Sequence, residues 1–187
     1  IAELLVSQLD TWVDEPHDIK HVLDVCTGSG CLAILAALVL PNAQVDATDI
    51  SEEALSIAKA NVNDYNLSAR VHLHQGSLLE PLPTKHHYNM IICNPPYVND
   101  ASMQALPPEF MHEPSLALAG GVDGMRLVSD LLNQCAKKLT SDGILFLEIG
   151  HERAHFDAAF KHLSPTWIDT LGTQDQIMML TAAQLQS

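Results

Sequence analysis

The sequence predicts an α/β fold: a seven-stranded, mostly parallel sheet covered by helices, with an antiparallel hairpin at its C-terminal end. Three observations predict it. Short apolar runs alternate with stretches of helical period, the first such run ends in a glycine turn that opens a helix, and the last two runs are both strand-like.

In chain order, Leu4, Leu5, Leu9 and Trp12 have helical spacing and predict an entry helix over 2–12. His21–Cys26 predicts the first strand. Leu32–Val39 is apolar all round and reads as a buried helix stopped by Pro41. Gln44–Thr48 is the second strand. Ser51 is the N-cap of a helix to about Tyr65, with Glu52 and Glu53 complementing its dipole. Val71–His74 and Tyr88–Cys93 are the third and fourth strands. A proline-rich stretch from Asn94 to about Val122 shows no period, and a loop that long in a compact domain usually has a function. Asp123–Leu139 predicts a helix with Met125, Leu127, Val128, Leu131 and Leu132 on one side. Gly143–Ile149 is the fifth strand, His151–Leu163 a helix, and Thr166–Thr170 and Gln176–Leu180 the closing strands.

With 187 residues the chain is large enough for one domain and too small for two ordinary ones. Nine Lys and Arg stand against 23 Asp and Glu, a formal charge of −14. Such a surface repels phosphate backbones and attracts basic proteins, so no direct contact with nucleic acid is expected. No apolar run is long enough for a membrane span. Cys26, Cys31, Cys93 and Cys135 form no Cys-x-x-Cys pair, and reduced, buried thiols in a cytoplasmic protein are the simplest account.

Ligands of open parallel sheets bind beyond the carboxyl ends of the strands, and the chemistry-bearing motifs fall there. Asp24-Val25-Cys26-Thr27-Gly28-Ser29-Gly30 closes the first strand; its glycines suit a sharp turn passing close to a ligand. Gly28, Gly30 and Ala33 also satisfy a G-x-G-x-x-A pattern, so a nicotinamide site stays open here. Asp49, just past the second strand, suits the two hydroxyls of a ribose in either kind of site, or caps the next helix. Asp24 favours S-adenosylmethionine: a carboxylate there repels a pyrophosphate and suits the amino group of a methionine tail.

Asn94-Pro95-Pro96-Tyr97 follows the fourth strand. The two prolines hold an extended backbone and supply no N–H, so the segment presents acceptors without competing donors. An NH2 on a planar, conjugated carbon fits this corner. Its hydrogens bond the Asn94 side-chain oxygen and the Pro95 carbonyl, and Tyr97 packs on the flat group. Positioning a nitrogen in line with an activated methyl supplies about 7 kcal/mol of the barrier. No general base is evident.

On these motifs the chain resembles the protein glutamine-N5 methyltransferases along essentially its whole length. The resemblance implies a Rossmann-like class I S-adenosylmethionine-dependent methyltransferase domain over 1–187, following a helical N-terminal substrate-binding domain. It implies methyl transfer to a protein glutamine amide, with S-adenosylhomocysteine as product. Implied donor contacts are Asp24, Cys26, Thr27, Gly28, Ser29, Gly30, Asp49, Ser77, Leu78 and Asn94; Asn94, Pro95, Pro96 and Tyr97 form the target corner. Cys26 opening the turn, Leu106-Pro107-Pro108-Glu109, His112-Glu113-Pro114 and Gly121-Val122-Asp123-Gly124 are similar to the branch that modifies large-subunit ribosomal protein number three. One departure is Ser77, where the family often has an Asp for the adenine amino group. The competing expectations are the same reaction on a release factor, methylation of a nucleobase amine, and a noncatalytic binding domain.

His151-Glu152-Arg153-Ala154-His155 spells the zinc-protease H-E-x-x-H, but it lies at a strand-to-helix junction without a third ligand, and no metal is expected. His86-His87 is expected in solvent. Glu113 is divided between shaping the target pocket and tethering its loop.

Overall fold

The computed structural model describes residues 1–96 and 125–187. Its strands are β1 His21–Val25, β2 Gln44–Asp49, β3 Val71–Gln75, β4 Tyr88–Cys93, β5 Leu139–Glu148, β6 Thr166–Ile168 and β7 Ile177–Thr181. They form one sheet in the order β3-β2-β1-β4-β5-β7-β6. The first five run parallel, and β7 is antiparallel to both β5 and β6. The closing hairpin is present, but its second strand inserts next to β5 and leaves β6 at the edge.

The helices are α1 Leu9–Trp12, α2 Cys31–Val39, α3 Glu52–Asp64, α4 Met125–Lys138, α5 Arg153–Ala159 and α6 Ala182–Leu185. Strand side chains alternate between faces, so each buried strand contributes to two cores. Val22, Val45, Met90, Ile92 and Phe146 pack with α2 and the entry segment. Leu23, Val25, Ile91, Leu145 and Leu147 pack on the other face with α4, α5 and α6.

Three elements differ from expectation. The entry segment opens into a π-helical turn at Leu4–Gln8 before α1, while still burying Leu4, Leu5 and Leu9. On α2, Leu38 is 50% exposed, so the helix is not buried all round. β5 begins at Leu139 and runs through Ser141-Asp142-Gly143, with a register shift against β4. A Cβ at Gly143 would lie 2.9 Å from the Tyr88 carbonyl oxygen, and only glycine allows that close approach. No helix among the described residues is long and apolar enough to cross a membrane.

Candidate functional site

The strand register places the site. Val25 lies opposite Thr48 on one side and Cys93 on the other, and Cys93 lies opposite Leu147. Asp49 and Glu148 close β2 and β5, and Cys26 and Asn94 follow the last residues of β1 and β4, so all four lie at the carboxyl edge of the sheet. The glycine turn and the double-proline corner leave adjacent strands at the same level.

The turn is tightly folded. Cys26, Gly28 and Gly30 have φ of 59°, 57° and 82°. This left-handed backbone is easy for glycine and costs Cys26 about 1 kcal/mol. Thr27 donates its amide to the Thr48 carbonyl at 2.9 Å, and the Gly30 amide donates to the Thr27 carbonyl at 2.9 Å. Among the described residues a Cβ on Gly28 would meet nothing within 4 Å, whereas a Cβ on Gly30 would lie 3.1 Å from Ala58 Cβ.

Asp24 shares a strand face with Val22 and lies fully buried beneath the turn. Its Oδ2 accepts from Thr27 Oγ1 at 2.5 Å and from the Ala33 amide at 3.0 Å, the latter in the first turn of α2. Its Oδ1 is buried with no hydrogen-bond partner among the described residues. Loss of water pushes the carboxyl up to about 7, against the lowering effect of those two bonds. A buried carboxylate with one oxygen unmatched suits a cationic group arriving with a ligand.

Asp49 is half-buried. Its Oδ2 accepts the Gly28 amide at 2.8 Å and its Oδ1 the Ser51 amide at 2.9 Å. Each oxygen keeps a second lone pair, so holding the turn leaves the carboxylate able to accept ribose hydroxyls. Ser51 is the N-cap of α3, accepting from the Ala54 amide at 3.1 Å. Ile50, which the sequence reading passed over, is an apolar side chain 62% exposed beside Asp49. Ser77 is half-buried beyond β3, and Leu78 is 6% exposed, with φ of 48°, within the core beside α4.

On the target side Asn94 is exposed, Pro95 buried and Pro96 half-buried. Tyr97, with Leu106–Glu109, His112–Pro114 and Gly121–Gly124, lies outside the described residues. The Cys26 thiol lies close enough to Cys93 to add to the upward push on the Cys93 thiol, so the residue opening the turn adjoins the one preceding Asn94. Burial pushes the Cys93 thiol far up and keeps it protonated. Cys135 is also buried, Cys26 is half-buried and Cys31 is exposed.

The remaining titratable clusters stand apart. His151 precedes α5 and shares no helical face with His155, whose ring instead bonds Glu152. Among the described residues no group of His, Cys, Asp and Glu is arranged to hold a metal ion. His86 is not simply in solvent: its ring lies between those of His21 and Tyr88, with Nδ1 3.6 Å from Asp46 Oδ2.

Strand order, glycine turn and a carboxylate at the end of β2 together define a class I S-adenosylmethionine-dependent methyltransferase domain. The described residues fit the donor, leaving space at Gly28 and an Asp24 oxygen unmatched among them. Residues 2–122 match the methyltransferase small domain, and the chain belongs to that family. It is 57% identical over its whole length to a ribosomal protein uL3 glutamine methyltransferase of Bordetella pertussis. A protein of the same name from Burkholderia pseudomallei is 46% identical over 99% of the chain. The chain spans 62% of the length of each of these relatives. Among solved structures, TrmN from Thermus thermophilus superposes with a TM-score of 0.66 over 96% of this chain and 47% of its own, at 20% identity, a likeness of fold.

Proposed function

We propose that residues 1–187 are the catalytic domain of an enzyme that methylates the side-chain amide nitrogen of a glutamine in ribosomal protein uL3. The in-register pairing of Val25 with Cys93 carries this reading, because it sets the donor turn and the amide-binding corner side by side. Relatives with that printed name share the chain throughout. The formal charge of −14 complements a basic ribosomal protein.

Asp49 holds the ribose hydroxyls while anchoring Gly28. Thr27, Gly28, Ser29 and Gly30 line the methionine portion, with Cys26 at their start and Asp24 below them matching its ammonium. Ile50 covers the base, with Ser77 and Leu78 at the far corner of the adenine pocket. When bound, the donor supplies an electrophilic sulfonium methyl and leaves as S-adenosylhomocysteine. Asn94 Oδ1 and the Pro95 carbonyl each accept one hydrogen of the glutamine NH2, and Pro96 keeps that corner extended. Held this way, the nitrogen points its lone pair at the methyl; an N–C bond forms as the S–C bond breaks. The proton then lost from the cationic nitrogen passes to these acceptors or to water, so no base is required. Tyr97, next in sequence, supplies the ring that stacks on the amide.

The test is incubation of the full-length protein with radiolabelled S-adenosylmethionine and purified uL3, followed by peptide mass spectrometry. One glutamine peptide gaining the mass of a methylene is expected. Label entering naked RNA or DNA but not uL3 overturns the reading.

A further inference from the structure

Three consecutive residues of the donor turn are each held by the β2–α3 unit. Gly28 donates to Asp49 Oδ2, the Ser29 carbonyl accepts from Asn61 Nδ2 at 2.9 Å, and Gly30 packs on Ala58. Ala58 and Asn61 are three apart on α3 and so share a face. The Ser29 carbonyl and the Gly30 N–H are the two ends of one peptide unit. That unit is pinned at both ends, by Asn61 on one side and by the Thr27 carbonyl, 2.9 Å from the Gly30 nitrogen, on the other.

We infer that Asn61 is a positioning residue for the methyl donor, acting through the Ser29–Gly30 peptide rather than by touching the donor. The inference rests on the donor site proposed above. Without the Asn61 amide the Ser29 carbonyl loses the partner that fixes its direction, and the peptide can rotate about the two flexible glycines flanking Ser29. A turn that samples several orientations must be ordered on binding, which weakens affinity for the donor. Because Asp49 accepts from the amide of Ser51, the N-cap of α3, one helix ties the turn to the ribose carboxylate.

The test uses the full-length protein, wild type and Asn61→Ala, titrated with S-adenosylhomocysteine in a calorimeter, with Tm measured alongside. Loss of one neutral hydrogen bond predicts affinity weakened about fivefold to tenfold. The KM for the donor should rise by a similar factor, with a smaller fall in kcat at saturating donor. Asn61→Asp, the same shape without a donor, should behave like Asn61→Ala. Equal affinity in wild type and both variants, with only Tm lowered, overturns the positioning role and leaves the donor site standing. Absence of binding by wild type overturns the site itself. If neither variant folds, the Asn61 side-chain amide resonance of the wild type is followed by NMR during the same titration. It should shift on binding, and a resonance that stays fixed while the protein saturates overturns the inference.

Discussion

Val25 on β1 and Cys93 on β4 face each other across one step of the parallel sheet, so the donor turn and the Asn94-Pro95-Pro96 corner begin as neighbours. The residues that follow them in the chain, Cys26 and Asn94, inherit that adjacency from backbone pairing alone. On the proposed reading, bringing the two reactants together is a property of the sheet, and orienting them is left to the two turns.

The Asn94 side chain is exposed, and its removal should spare the fold and damage the chemistry. Asn94→Ala is expected to lower kcat at least about 100-fold, the scale seen when one oriented hydrogen bond at a reacting centre is lost. Affinity for S-adenosylhomocysteine should change by no more than a few-fold. Single-turnover methylation of uL3 beside donor calorimetry separates the two, and a variant methylating at the wild-type rate would refute the assigned role.

Asp24 makes a pH prediction. Its carboxyl is raised from 3.8 to about 7 by burial, so between those values the folded state holds a proton that the unfolded state has released. This group's stabilising contribution is fully present below pH 4 and is lost as the pH climbs to about 7. Up to about 4 kcal/mol is at stake across the window. The fall in Tm from pH 5 to pH 8 should be smaller in Asp24→Asn than in wild type. Donor affinity should move the other way, strengthening as ionised Asp24 becomes available to the ammonium, and that gain should vanish in the variant.

Much of this was legible in the sequence, for reasons that differ by element. The strand ends could be read because the glycine turn, Asp49 and Asn94-Pro95 interrupt short strand-like runs. The start of β5 was not, since Ser141-Asp142-Gly143 has the composition of a turn and lies in the irregular stretch between the Leu139 and Ile144 pairings with β4. The burial of Asp24 and the double duty of Asp49 were hidden as well. Each depends on an amide brought from another element, Ala33 or Gly28, and no local pattern announces it. Asn61 looked like one more polar residue on a helix.

Gly28 and Gly30 should respond differently to alanine although both have positive φ. At Gly28 the added methyl meets no atom of the described residues, so Gly28→Ala should cost about 1–2 kcal/mol for the left-handed backbone alone. Its methyl projects where the donor is proposed to lie, and affinity should fall well beyond what that stability loss explains. At Gly30 the methyl lies 3.1 Å from Ala58 Cβ, so α3 must give way and a further ~1–3 kcal/mol is lost. Urea unfolding and donor calorimetry on both variants check this. Equal losses of stability would mean that the contact with α3 is not rigid.

The last prediction concerns a network the methyl transfer does not use. Tyr88 is fully buried at the start of β4, and its hydroxyl donates to Asp46 Oδ2 at 2.8 Å. Burial, with Asp46 alongside, pushes the phenol well above its ordinary range, so it stays protonated and keeps donating. His74 Nε2 lies 2.7 Å from the other oxygen of Asp46, tying β3 to β2. Tyr88→Phe removes the hydroxyl and leaves Oδ2 with only His86, 3.6 Å away, among the side chains placed around it. The expected loss is about 1–3 kcal/mol, the cost of a buried acceptor deprived of its partner. Since none of these groups reaches the strand ends bearing Asp49, Cys26 and Asn94, donor affinity and kcat should stay at wild-type values. A drop in kcat without a drop in the urea midpoint would show that the far end of β4 communicates with the target corner.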